Sequence, residues 1–105
     1  MSLPIIDRLG IPGIVDVHSH FMPHSVMTKV WEFFDNAEEA YGLPWPVEYR
    51  GSDELRIEQL EDFGVVAFTS LAYAHKPGMA AWLNDWCASF ARSTPRCLQT
   101  ATFFP

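Results

Sequence analysis

The sequence contains few basic residues. Only 7 of its 105 residues are Lys or Arg, against 13 Asp and Glu, which gives a formal charge of −6 at pH 7. A surface that binds nucleic-acid phosphates needs clustered Lys and Arg side chains, and the few present here are scattered along the chain. The charge pattern therefore argues against a nucleic-acid-binding protein.

The sequence also has no long apolar run and only 2 cysteines. Its apolar stretches fall well short of the roughly 18 residues needed to span a bilayer. The N-terminus lacks the basic region and hydrophobic stretch of a signal peptide. Cys87 and Cys97 show no sign of a disulfide framework, so we expect free thiols. These features predict a cytoplasmic protein without a membrane segment.

The sequence does contain alternating strand and helix patterns. Apolar segments predict strands at residues 14–20, 65–71 and 97–104. Between them, helical spacing predicts helices at residues 53–63 and 79–92. This order is typical of an α/β protein with a parallel sheet and right-handed crossovers.

The first of these helices has clear boundary signals. Ser52 or Asp53 is its predicted cap, and Gly64 is placed to end it. Its predicted inward stripe consists of Leu55, Leu60 and Phe63, with Ile57 at the edge. Its charged residues predict a solvated face: Glu54, Arg56, Glu58, Glu61 and Asp62. The following strand is nearly continuously apolar, which is typical of a strand buried on both faces.

A long connection covers residues 24–50. It contains one predicted short helix, from His24 to Phe34, followed by a stretch from Gly42 to Pro46 that prevents regular structure. Connections of this length often form a lid or a binding wall. Simple linkage is the alternative interpretation.

The most informative residues are His18 and His20, at the end of the first predicted strand. Alternate side chains of a strand point to the same face, so the two imidazoles leave the backbone on one side and can bind one metal ion. Pro23 lacks an amide proton and is expected to end the strand. The carboxyl ends of parallel strands are where ligands collect. A chance pair is the alternative, and a catalytic zinc usually has at least three protein ligands.

Three other residues bear on this site. Asp16 lies two positions before His18, so its side chain is expected to point the same way as the two histidines. It either orients a ligand or anchors the structure. His24 is expected to begin the helix that follows the site. His75 lies after the second strand, where a role at the surface or beside the substrate is favoured over metal ligation.

The segment Asp16-Val17-His18-Ser19-His20-Phe21-Met22-Pro23 resembles the first-strand metal motif of the amidohydrolase superfamily. More narrowly, it is similar to the branch of metal-dependent hydrolases and decarboxylases that includes aminocarboxymuconate semialdehyde decarboxylase. The resemblance continues through residues 56–65, which look like the first barrel helix and the start of strand two. It extends to Asn84-Asp85-Trp86 and to Phe103-Phe104-Pro105.

The resemblance implies a distorted (β/α)8 barrel, of which residues 1–105 are the N-terminal βαβαβ segment. It implies that His18 and His20 are the paired ligands of a divalent metal, with zinc expected, and that the substrate is a small organic molecule. Hydrolysis and nonoxidative decarboxylation both stay open. The family takes a further histidine and an aspartate from later strands, beyond Pro105, so this chain alone is expected to be inactive.

A second interpretation belongs to a different class of function. Three strands and two crossover helices cannot cover both faces of their sheet, and the third strand is left with an open edge. A non-catalytic fragment that associates with itself through this edge is therefore the alternative to an enzyme. The two differ in whether the protein binds metal stoichiometrically.

Overall fold

A three-stranded parallel sheet lies at the centre of the fold. The computed structural model describes residues 5–44 and 50–105. The strands, in sheet order, are β1 (Ile14–Asp16), β2 (Val65–Thr69) and β3 (Cys97–Leu98). The helices are α1 (Ile5–Leu9), α2 (His24–Asp35), α3 (Ala37–Tyr41), α4 (Asp53–Asp62) and α5 (Met79–Ser93). The described residues therefore confirm the predicted α/β class and parallel sheet.

The register makes β2 the central strand. Asp16 pairs with Phe68 on one side, and Phe68 pairs with Cys97 on the other. An irregularity between Ile14 and Val15 shifts the first ladder by one residue. The carboxyl ends of β1 and β2 consequently lie side by side, which brings the residues that follow each strand into contact.

All three strands are shorter than predicted. The predicted strand at residues 14–20 ends at Asp16, where the Asp16 carboxylate accepts a hydrogen bond from the His18 amide at 2.9 Å and turns the chain. The predicted strand at 97–104 ends at Leu98. Beyond Leu98, side-chain hydrogen bonds take the place of main-chain strand pairing. For example, the Thr100 hydroxyl donates to the Ser70 carbonyl at 3.0 Å. The strand predicted at 65–71 ends at Thr69.

The predicted bounds of the helices agree with the structure more closely than those of the strands. The helix predicted from His24 to Phe34 is α2, which begins at His24 and ends at Asp35. The sequence predicts that Pro23 ends a strand, whereas in the structure Pro23 is the N-cap of this helix, and its carbonyl accepts from the amides of Val26 and Met27. Proline suits this position because a nitrogen at the N-terminus of a helix donates no hydrogen bond within the helix.

The N-terminus of α4 resolves the choice between two predicted caps. The Ser52 hydroxyl accepts from the Leu55 amide at 3.2 Å, so Ser52 is the cap. At the other end, Gly64 has a φ of 88°, in the left-handed region that glycine adopts at little cost. Helix α5 runs from Met79 to Ser93, one residue longer than predicted.

Among the described residues, two apolar clusters form the core, and Phe21 and Met22 connect them along the chain. Phe21 packs in the sheet cluster with Val65 and Phe68, and Met22 packs in the helix cluster with Val26, Met27, Met79 and Leu83. The crossover helices contribute four further side chains to the sheet cluster: Ile57, Leu60, Trp86 and Phe90. Phe21 and Met22, the two residues that follow His20, are therefore each held in one of the two clusters.

Parts of the predicted burial pattern are wrong. In α4, Ile57 and Leu60 pack against the core, whereas Leu55 and Phe63 are 46% and 65% exposed. In β2, Val66 is 49% exposed, so this strand is not buried on both faces. Arg56, which was assigned to a solvated face, has a side chain that is only 13% exposed. Adjacent elements, rather than helical periodicity alone, decide which side of α4 is covered.

The connection between α2 and α4 contains one more helix than predicted. Helix α3 ends at Gly42, whose φ of 77° forms a left-handed C-cap. The predicted irregular stretch from Gly42 to Pro46 is confirmed as far as Pro44, and Trp45 and Pro46 lie outside the described residues. Within residues 5–44 and 50–105, no helix is both long and apolar enough to cross a bilayer.

Candidate metal centre

The candidate ligands lie on the segment that follows β1. The Leu71 amide donates to the Ser19 carbonyl at 2.8 Å, and the Ser19 amide approaches the Thr69 hydroxyl at 3.5 Å. The Asp16 carboxylate holds the His18 amide at the start of the segment. The segment is therefore tied to the end of β2, although it lies beyond the strand itself.

The two predicted ligands are brought together. The Nε2 atoms of His18 and His20 lie 3.2 Å apart, and the two rings are nearly perpendicular, with centroids 5.0 Å apart. His18 is exposed, and His20 is half-buried. The prediction that both imidazoles share one side of the chain is correct, although neither residue is part of the strand.

A main-chain carbonyl sets the orientation of the His20 ring. Its Nδ1 atom lies 3.2 Å from the carbonyl oxygen of Leu71. A carbonyl oxygen can only accept, so Nδ1 carries the proton of this hydrogen bond. In the neutral ring Nε2 then has a free lone pair, and this atom faces His18. Metal-binding histidines are commonly oriented by a carbonyl in this way.

The spacing of the two nitrogens fits a shared metal ion. Two zinc–nitrogen bonds of about 2.0–2.1 Å at a tetrahedral angle place the nitrogens about 3.3 Å apart. The distance between the two Nε2 atoms is 3.2 Å. The same separation suits a hydrogen bond from His18 to His20 when no ion is bound. The donor set is therefore compatible with a divalent ion that imidazole nitrogen binds well, zinc among them.

The other candidate residues do not join the pair. Asp16 anchors the backbone through the His18 amide, which is the second of the two roles considered for it. His24 begins α2, as predicted, and its Nε2 atom lies 3.4 Å from the Thr28 hydroxyl. His75 lines a separate cavity beside Lys76. Across residues 5–44 and 50–105, no group of three or more His, Cys, Asp or Glu side chains is placed to hold a metal ion.

A cavity of about 640 Å³ opens onto the histidine pair. Its walls are largely apolar and include Met27, Trp31 and Phe34. A second cavity of about 770 Å³ adjoins it and shares Val30, Phe34 and Tyr73 with it. The first is large enough for a small organic molecule beside the two imidazoles.

Tyr73 connects the two cavities to the histidine pair. Its ring meets His20 edge-on, with centroids 5.9 Å apart. Burial raises the pKa of the Tyr73 hydroxyl above its ordinary value, so the hydroxyl stays protonated. Tyr73 is therefore a neutral hydrogen-bonding group at the boundary between the cavities.

Sequence reasoning missed three residues of this site: Leu71, Tyr73 and Arg56. The contribution of Leu71 is a main-chain oxygen, which no side-chain pattern reveals. Arg56 donates from Nη2 to the His20 carbonyl at 2.6 Å. It lies among the acidic residues of α4, so its charge pattern is that of an exposed helix face. The aromatic character of Tyr73 close after a strand was the one available signal.

The two cysteines are both free, as predicted. Cys87 is buried, and its thiol lies 3.6 Å from the Ser70 carbonyl. Cys97 is half-buried at the start of β3 and packs against the sheet cluster.

Comparison of the chain with models of protein families, with curated proteins and with solved structures gave no match.

Proposed function

We propose that this chain is the N-terminal part of a metal-dependent enzyme of the amidohydrolase type, in which His18 and His20 bind a divalent cation. The observation that carries the proposal is the 3.2 Å separation of their Nε2 atoms, together with the Leu71 carbonyl that leaves the His20 Nε2 lone pair free. Zinc is the ion we expect, because neutral imidazoles suit it. The remaining ligands belong to later strands of the proposed barrel.

The order of the strands supports the barrel. The three strands lie in the sheet in the order in which they occur in the sequence. A (β/α)8 barrel adds each strand next to the previous one, whereas a doubly wound sheet reverses its order at a switch point. Helices α4 and α5 also pack in the same apolar cluster. This sequential arrangement matches the first three strands of a barrel.

The chemistry proposed for the site has two parts. A divalent ion, when bound, lowers the pKa of a coordinated water and polarises a substrate carbonyl or carboxylate. The chain's own residues hold the ion through His18 and His20. They also provide the apolar wall of Met27, Trp31 and Phe34, which limits access of water to a small substrate. Both hydrolysis and nonoxidative decarboxylation are compatible with this arrangement.

Metal binding is the test of this proposal. We expect zinc or cobalt to bind the purified chain at one ion per chain, as measured by isothermal titration calorimetry and by native mass spectrometry. His18→Ala and His20→Ala should each weaken binding by more than the roughly 10–100-fold that loss of an outer hydrogen-bond partner costs. His75→Ala is the matched control, because His75 lines a different cavity. Unchanged metal affinity in His18→Ala would contradict the assignment of His18 as a metal ligand.

A non-catalytic, self-associating protein is the second candidate. It is favoured by the outer edge of β3, which has no neighbouring strand among the described residues. Near this edge, Leu98 is 46% exposed and Phe103 is 78% exposed. Light scattering after size-exclusion chromatography tests it: a dimer that Leu98→Lys converts to a monomer, in a protein that binds no metal, would favour this candidate over the enzyme.

A further inference from the structure

Arg56 contacts His20 at a different group from the one that Leu71 contacts. It lies in the first turn of α4, and its Nη2 atom donates to the main-chain carbonyl of His20 at 2.6 Å. The same guanidinium lies over the ring of Phe21, with Cζ 4.3 Å from the ring centroid. One side chain thus holds two consecutive residues, one of them a candidate ligand.

Attraction to Asp53 does not offset the burial of Arg56. Burial lowers the pKa of Arg56, and the nearby Asp53 carboxylate only partly opposes the effect. Burial likewise raises the pKa of Asp53. Their closest atoms are 4.0 Å apart, and the buried Nη1 atom has no hydrogen-bond partner among the described residues. Desolvation therefore outweighs attraction for both groups, so the Arg56 and Asp53 pair does not account for the arginine.

The contacts that Arg56 does make are specific to a guanidinium. Its planar group can donate in its own plane to the His20 carbonyl and lie over the Phe21 ring with its face. A lysine ammonium has no such plane and cannot make both contacts in the same geometry. The arginine is therefore matched to the backbone at His20 and Phe21.

We propose that Arg56 is a positioning residue that fixes His20 for metal binding. This inference rests on the proposed function. Two anchors hold His20: Arg56 holds its carbonyl, and the Leu71 carbonyl holds its ring. Without Arg56, the His20 carbonyl loses this hydrogen bond, and the restraint on the His20 backbone is relaxed although Phe21 stays packed in the core. The ring then leaves Leu71, and the separation of its Nε2 atom from that of His18 is no longer maintained.

The first experiment measures zinc affinity of the full chain in Arg56→Met and Arg56→Lys by calorimetry. Arg56→Met removes the donor and the charge at similar volume, and we expect zinc to bind about 10–100-fold more weakly, as for other lost outer partners. Arg56→Lys keeps the charge, and we expect only partial rescue. Circular dichroism establishes that each variant is folded at the temperature of the titration.

A matched control separates positioning from general destabilisation. Asn84→Ala removes two hydrogen bonds to Thr102, of 2.9 and 2.8 Å, and so weakens the fold at a residue that does not line the cavity beside His20. Its zinc affinity should equal that of the unmodified chain while it is folded. Equal losses of affinity in Asn84→Ala and Arg56→Met would overturn the proposal. Unchanged affinity in Arg56→Met would also overturn it.

A second readout does not require metal. In the metal-free protein, nitrogen NMR of the His20 ring reports whether the proton is held at Nδ1. We expect this preference to be lost in Arg56→Met and kept in Asn84→Ala. If the unmodified chain binds no zinc, the proposed function fails, and this NMR comparison still decides whether Arg56 positions His20. A retained Nδ1 proton in Arg56→Met would refute the positioning role.

Discussion

The Nδ1 atom of His20 lies 3.2 Å from the main-chain oxygen of Leu71, and this contact joins the segments that follow two neighbouring parallel strands. It is formed because β1 and β2 end side by side. Since the oxygen accepts only, the contact selects one of the two neutral forms of the imidazole. The architecture of the sheet thereby determines which His20 nitrogen is available to a metal.

The first prediction concerns this protonation. In the metal-free protein, the neutral imidazole of His20 should carry its proton on Nδ1, because this atom lies 3.2 Å from the Leu71 carbonyl oxygen. The Nε2 atom of His20 then accepts from His18, because the two Nε2 atoms are 3.2 Å apart. Two-dimensional nitrogen–proton NMR of the imidazoles measures this directly. A His20 ring protonated on Nε2 would contradict the prediction.

The second prediction concerns Phe21, which immediately follows the candidate ligands. Its ring centroid lies 5.2 Å from those of both Phe68 and Phe90, and the side chain is 1% exposed. Phe21→Ala should lower the free energy of unfolding by about 3–5 kcal/mol, through lost burial and a residual cavity. Urea denaturation measures the change.

Phe103 provides the control for that substitution. Its side chain is 78% exposed, so Phe103→Ala should change the free energy of unfolding by no more than about 0.5 kcal/mol. Similar losses in the two variants would mean that the cluster around Phe21 is not a principal part of the core.

Helices α2, α4 and α5 could be predicted from the sequence because their signals are local, whereas the short helices α1 and α3 were not predicted. The apolar spacing of α5, the Ser52 cap and the Gly64 terminator each depend on residues within a few positions of one another. The parallel sheet followed from the order of these elements. The strand ends could not be predicted, because they depend on a competition between ladder pairing and side-chain hydrogen bonds, such as the one that the His18 amide donates to the Asp16 carboxylate.

The candidate site divides in the same way. The nearness of His18 and His20 could be predicted, because two residues separated by one position lie close in any extended segment. Their partners could not: the Leu71 carbonyl is 51 positions from His20, and Arg56 is 36 positions away. Both are placed by tertiary packing, and the charge pattern of α4 indicated exposure for Arg56. The metal and the family stay predictions.

The third prediction concerns Asn84, whose side chain hydrogen-bonds the main chain beyond β3, where strand pairing has ended. Its Nδ2 group donates to the Thr102 carbonyl at 2.9 Å, and its Oδ1 atom accepts from the Thr102 amide at 2.8 Å. Asn84→Ala removes both contacts and should cost about 1–3 kcal/mol of unfolding free energy. Hydrogen exchange at the Thr102 amide should accelerate. Asn36→Ala, which removes an exposed bond to the Glu32 carbonyl, should have a much smaller effect.

The fourth prediction concerns the alkaline pH dependence of stability. Burial raises the pKa of the Cys87 and Cys97 thiols, and unfolding returns both to the ordinary value of about 8.5. Above that value the unfolded chain has lost protons that the folded chain retains. The unfolded state then binds fewer protons, so the free energy of unfolding falls as pH rises.

Urea denaturation between about pH 7.5 and pH 9.5 tests this dependence below the ordinary tyrosine pKa of about 10. The upper limit matters because burial also raises the pKa of Tyr73, whose own contribution has the same sign at higher pH. Replacing both cysteines with alanine should lower stability at every pH but flatten its decline across this window. If the double variant keeps the full decline, the thiols are not its source, and another buried group must release the protons.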